Sequence, residues 1–98
     1  MLWDREFLYF AAEMADADLF ATVSEDDGAL WTGDVFELFF KPAAESPGYY
    51  EFEFNPTNAK LDMFLPARDS GGYARHARDR KFHIETAVRL RGTLNQRD

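Results

Sequence analysis

Apolar and polar positions alternate along most of this chain, and the alternation has the period of two expected of strands with one half-buried face. In residues 6–14, Leu8, Phe10, Ala12 and Met14 fall on one side, while Phe7, Tyr9 and Ala11 fall on the other. Residues 19–23 read as a second, shorter strand, and Ser24-Glu25-Asp26-Asp27-Gly28 has the composition of a turn. Residues 34–41 form the clearest strand, with Phe36, Leu38 and Phe40 on one face and Val35, Glu37 and Phe39 on the other, until Pro42 stops it. Pro47-Gly48 marks a turn. Residues 49–55 then place Tyr50, Phe52 and Phe54 opposite Glu51, Glu53 and Asn55.

Pro56-Thr57-Asn58 reads as a tight connection into residues 59–65, where Leu61, Met63 and Leu65 alternate with Lys60 and Asp62. Residues 66–80 form a long loop containing Gly71-Gly72, of a length that compact domains reserve for function or mobility. Residues 81–91 read as the last strand. Phe82, Ile84, Thr86, Val88 and Leu90 share one face, His83, Glu85, Arg89 and Arg91 share the other, and Gly92-Thr93 ends it. Long helical periodicity and internal repeats are both missing from the sequence. Short strands separated by turn residues predict an all-β fold, an antiparallel sandwich or barrel, of which a jelly-roll-like β-sandwich is the expected form. Residues 1–98 read as a single domain.

If the strands are neighbours, their polar sides merge into one hydrophilic surface that carries Glu37, Glu51, Glu53, Asn55, Lys60, Asp62, His83, Glu85 and Arg89. Such a surface is either the ordinary solvated side of an antiparallel sheet or a shallow groove that bonds hydroxyl groups.

Composition narrows the choice. The chain is 46% hydrophobic and 30% charged, as a folded domain should be, and 16% aromatic, with ten Phe, four Tyr and two Trp. The net charge of −7 argues against nucleic acid, which needs a basic surface. The charge is uneven, −11 over residues 1–62 and +4 over residues 63–98. Arg68, Arg75, Arg78, Arg80 and Lys81 lie in one short stretch that reads as a solvated loop. There is no cysteine, so disulfides and thiolate metal sites are excluded. Residues 1–6 are too charged for a signal peptide, and no run is long enough to span a membrane.

The segment Leu30-Trp31-Thr32-Gly33-Asp34-Val35-Phe36-Glu37-Leu38-Phe39-Phe40 resembles carbohydrate-binding module family 9 and its wider set of family-9-like domains. Those domains carry a Trp, two residues, an Asp, two residues and a Glu leading into an apolar strand, and Trp31, Asp34 and Glu37 match. Leu2-Trp3-Asp4-Arg5-Glu6-Phe7-Leu8-Tyr9 resembles the family's early strand pair, and Tyr49-Tyr50-Glu51-Phe52-Glu53-Phe54-Asn55-Pro56 resembles its strand ending in Asn. The resemblance covers most of residues 2–65 and is weaker beyond. It implies a non-catalytic β-sandwich that holds the end of a glycan, in an extracellular or periplasmic parent protein. It also implies roles for Trp31 as one wall of an aromatic clamp and for Glu37 and Asn55 as bonds to sugar hydroxyls.

Two features depart from the family. Glu53 stands where sugar-gripping members often carry Arg, which reverses the charge there and favours a sandwich that has lost sugar binding; as a carboxylate, Glu53 is still a candidate to bond a hydroxyl. The family's second clamp Trp has no counterpart, since the only other Trp is Trp3. The chain therefore resembles a module lacking its C-terminal strands, and unpaired strand edges would favour self-association.

The ligand-binding candidates are thus Trp31, Glu37, Glu53 and Asn55. Trp3 and Tyr9 fit packing better, and Asp34 fits loop ordering through backbone N–H groups. His76 and His83 lie seven apart and match no familiar zinc motif. No cofactor is expected, although Glu25-Asp26-Asp27 and the family resemblance leave room for structural calcium. The rival readings are a structural or interaction sandwich that has lost sugar binding, and a glycosidase drawing a carboxylate pair from Glu37, Glu51, Glu53 and Glu85.

Overall fold

The structure is a computed structural model that describes residues 1–79 and 82–97. Arg80 and Lys81, part of the basic stretch and of the expected start of the last strand, lie outside the described residues, as does Asp98. The regular structure is mostly strand, in two antiparallel sheets. A two-stranded sheet pairs β1 (Leu2–Trp3) with β2 (Leu8–Tyr9), and a three-stranded sheet has the order β3 (Phe36–Phe40), β4 (Tyr49–Phe54), β5 (Lys60–Leu65). A 3₁₀ turn covers Leu30–Thr32, and the long loop after β5 folds into a short helix, α1 (Gly72–His76). No described helix is long and apolar enough to cross a membrane.

The hairpin between β4 and β5 sets the register of the main sheet. Asn58 takes a left-handed backbone (φ 63°), as Asn tolerates better than most residues. Its N–H donates to the Asn55 carbonyl at 2.9 Å. The Asn55 side chain holds the same turn from inside, with its Oδ1 accepting from Thr57 N–H, the Thr57 hydroxyl and Ala59 N–H, and its Nδ2 donating to the Val23 carbonyl at 2.7 Å. The resulting pairs are Glu53 with Leu61, Glu51 with Met63, Phe52 with Asp62 and Phe54 with Lys60.

That register corrects the single hydrophilic surface expected from alternation. Glu37, Glu51 and Glu53 share their face with Leu61, Met63 and Leu65, while Lys60 and Asp62 share theirs with Phe36, Phe52 and Phe54. The sheet therefore packs on both sides. Its first face carries the aliphatic core, where Leu61, Met63 and Leu65 meet Leu30, Ala59 and Ala77. Its second face carries an aromatic cluster. Phe10 meets Phe40 edge-on with centroids 5.2 Å apart, and Phe82 meets Tyr50 at 5.3 Å and Phe52 at 6.1 Å. Tilted and edge-on pairs of this kind add about 0.5–1.5 kcal/mol each beyond their buried area.

Residues 82–90, expected as the last strand, join neither sheet. The polar groups on the aromatic face tether them instead. Asp62 Oδ2 accepts from Phe82 N–H at 2.8 Å, and Lys60 Nζ donates to the Ile84 carbonyl at 2.7 Å. Residues 19–23 also fail to pair as a strand, because side chains satisfy their backbone. Asp34 brackets Phe20, its Oδ2 accepting from Phe20 N–H and its own N–H donating to the Phe20 carbonyl. Asn95 brackets Ala21, its Oδ1 accepting from Ala21 N–H at 2.7 Å and its Nδ2 donating to the Ala21 carbonyl at 3.0 Å. The strand expected over residues 6–14 shortens to β2, which leaves Trp3 72% exposed and not packed as the sequence suggested. Tyr9 is likewise exposed, its hydroxyl donating to Asp4 Oδ2 at 2.6 Å.

Leu61 is fully buried at the centre of the aliphatic core. Leu61→Ala should lower unfolding stability by about 2–5 kcal/mol, read as a reduced midpoint in urea with little change in slope.

Candidate functional site

Pairing of β3 with β4 sets Glu37 directly opposite Glu53, and the two-residue period returns Glu51 to the same face. One oxygen from each of these three carboxylates lies within 4.8 Å of the other two. Like charges opposed across strands destabilise a sheet, so the sequence places a repulsive cluster where its sheet is best formed. The three side chains differ in environment. Glu37 is exposed, Glu51 is half-buried, and Glu53 is only 2% exposed, with its Oε2 buried and without a hydrogen-bond partner. Burial foremost, together with its contact with Glu51 and the negative charges of Glu37 and Glu51, pushes the Glu53 carboxyl up to about 8. Glu53 therefore holds a proton at neutral pH.

These carboxylates line an open cleft of about 700 Å³, together with Trp31, Tyr49 and Tyr73. The position of Trp31 follows from its neighbours. Leu30 is buried in the core and anchors the 3₁₀ turn, which Thr32 Oγ1 closes by donating to the Ala29 carbonyl at 2.8 Å. The indole is 45% exposed and packs edge-on against Tyr73, with centroids 4.5 Å apart and planes at 77°. Tyr73 is held in turn by its hydroxyl, which donates to the Asp27 carbonyl at 2.6 Å. Gly71 and Gly72 have φ of 114° and 52°, so the chain enters α1 through a left-handed bend at the margin of the cleft. Arg68 and Asp69 also line it.

Of the four residues singled out from sequence, the fold brings three together: Trp31, Glu37 and Glu53. Asn55 is not among the cleft residues. It is buried at the β4–β5 turn, and its amide is engaged by Val23, Thr57 and Ala59. Asp34 orders the loop as expected, through Phe20. Sequence reasoning overlooked Tyr49, Tyr73, Arg68 and Asp69 as cleft residues, and placed Glu51 in the polar set without singling it out. Tyr73 carried no usable signal, since it sits in a long loop whose return to the sheet depends on tertiary packing. Glu51 was legible, being two residues from Glu53 on an alternating strand.

The remaining candidates are occupied structurally. Asp26 Oδ1 accepts from Lys60 N–H at 3.1 Å, which ties the acidic turn to β5. His76 is buried, with Nδ1 at 2.9 Å from Asp79 Oδ2 and Nε2 at 3.1 Å from the Ser70 carbonyl. His83 is exposed beside Glu85. No family model, curated protein or solved structure matches this chain.

Two outcomes follow from this geometry. Because the folded state holds the Glu53 proton more tightly than the unfolded chain, its contribution to stability is complete below about pH 4.5 and is lost as pH rises through about 8. Urea unfolding in chelator at pH 5 and pH 8.5 should show the native protein losing stability at the higher pH, and Glu53→Gln should flatten that dependence. Asn55→Ala should destabilise the fold by about 1–3 kcal/mol in the same assay, since it leaves buried backbone groups without partners.

Proposed function

We propose that this chain is a non-catalytic binding module of the family-9 type, with a sandwich architecture, that takes the end of a glycan into the cleft beneath Trp31. The observation that carries the reading is the half-exposed indole beside Tyr73, at a cleft lined with carboxylates. A pyranose offers an apolar C–H face and a rim of hydroxyls. Indole and phenol rings suit the first, and carboxylates suit the second. The cleft volume of about 700 Å³ lies within the range typical of small-ligand sites, roughly 300–1,000 Å³. The protonated Glu53 would donate a hydrogen bond where Glu37 and Glu51 accept, which widens the set of hydroxyl orientations the cleft can satisfy.

The arrangement favours binding over hydrolysis. A glycosidase needs an acid and a base or nucleophile flanking the scissile bond, about 5–9.5 Å apart with the sugar between them. Here all three carboxylates stand on one sheet face, so a ligand in the cleft meets them from a single side and none flanks it from the other. The resemblance to family 9 supports the same reading through Trp31 and Glu37. Asn55 lends it no support, because its amide is engaged at the turn.

Tryptophan fluorescence tests the proposal. In a Trp3→Phe background, which leaves Trp31 as the sole indole, gluco- and xylo-oligosaccharides should change the emission saturably. Trp31→Ala should weaken binding, followed by calorimetry, by about tenfold or more, equivalent to about 1.4 kcal/mol. Absence of a response to both series would leave the interaction-domain reading in its place. Release of reducing ends that disappears in Glu37→Gln would replace it with an enzyme.

A further inference from the structure

We propose that Glu37, Glu51 and Glu53 form a binding site for a hard divalent cation, calcium foremost, in the cleft beside Trp31. The site stands on its own geometry and does not require that a sugar bind.

Two independent observations point to it. The first is the spacing of the three carboxylate oxygens, all within 4.8 Å of one another. Oxygens this close can converge on one ion with small side-chain adjustments. Calcium, which accepts flexible geometry at about 2.3–2.6 Å, is favoured over magnesium, which demands near-ideal octahedral geometry and dehydrates reluctantly. All three donors are carboxylate oxygens, the set preferred by calcium, magnesium and manganese and not by zinc or copper. The second observation is the buried Oε2 of Glu53, which has no hydrogen-bond partner. A buried polar atom left without a partner costs about 1–3 kcal/mol, and more when charged. A cation among the three side chains would supply that partner and let all three sit ionised side by side, Glu37 directly across the strand pair from Glu53.

The surroundings fit a weak, open site. β3 contributes Glu37, β4 contributes Tyr49, Glu51 and Glu53, and β5 contributes only Met63 and Leu65 to the cleft. From the loop after β5, Asp69 adds negative charge and Arg68 opposes it; from α1, Tyr73 faces the same space. Residues 1–62 carry a balance of −11, so the long-range field favours a cation. Three protein ligands on an open cleft leave several of the 6–8 calcium positions to water, as in extracellular modules with dissociation constants of about 10⁻⁴–10⁻³ M.

The test is calorimetric titration of calcium chloride, magnesium chloride and manganese chloride into the full chain after chelator treatment, at pH 8. One calcium should bind with a dissociation constant of about 10⁻⁴–10⁻³ M and with preference over magnesium. Glu53→Gln and Glu37→Gln should each weaken binding at least tenfold, and Glu85→Gln should leave it unchanged. Glu37 is exposed, so its variant keeps the test valid if Glu53→Gln folds poorly. The proposal is overturned if no cation binds saturably at about ten times that concentration, or if binding is insensitive to both cleft variants.

Discussion

The backbone pairing of Glu37 with Glu53, and of Glu53 with Leu61, is the constraint on which the rest depends. It carries an acidic side chain onto the face of the sheet that also holds the aliphatic core. Glu53 is then buried by the same neighbours that make the core, and its proton affinity rises as a consequence. A shift of one residue between β3 and β4 would put Glu37 on the face opposite Glu51 and Glu53, and one between β4 and β5 would part the carboxylates from Leu61, Met63 and Leu65. The Asn55 side chain guards against that shift, because its bonds close the β4–β5 turn and also fasten it to the Val23 carbonyl.

The main sheet is thus used on both sides with different chemistry. Aliphatic side chains from β5 and the 3₁₀ turn, with Ala77 just beyond α1, close part of one face and leave the rest as a cleft. Aromatic rings close the other, where Lys60 and Asp62 are the exceptions in an otherwise apolar surface. Those two side chains hold the backbone of residues 82–84 in place of a strand ladder. Asp34 and Asn95 act in a similar way on residues 20 and 21. Side-chain hydrogen bonds to backbone groups thereby replace strand pairing on two flanks of the sheet, which is why a chain so rich in alternating patterns contains so few long strands.

A buried carboxyl with a free oxygen has a cost in stability that the surrounding core must offset. Such costs concentrate where a protein binds something, and the raised proton affinity of Glu53, in a cleft beside a half-exposed indole, has that character. The glycan reading and the cation reading share the carboxylates of this cleft. Only the first also needs the aromatic wall of Trp31 and Tyr73, so a cation can bind there whether or not a glycan does.

Alternation by itself determined the three central strands, their faces and the all-β character, because a period of two is a local property that survives any arrangement of neighbours. It also placed Glu37, Glu51 and Glu53 on the polar sides of their strands. It could not determine how those sides combine between β4 and β5, since that depends on a register set by one turn. Nor could it determine that residues 19–23 and 82–90 would be held by Asp34, Asn95, Lys60 and Asp62. Those partners lie between 14 and 74 residues away in the chain, and no local pattern encodes them. The use of Asn55 at the turn, the arrival of Tyr73 beside Trp31 and the burial of Glu53 were decided only by tertiary structure, for the same reason: each results from side chains brought together across the chain, and burial is a property of the assembled neighbours.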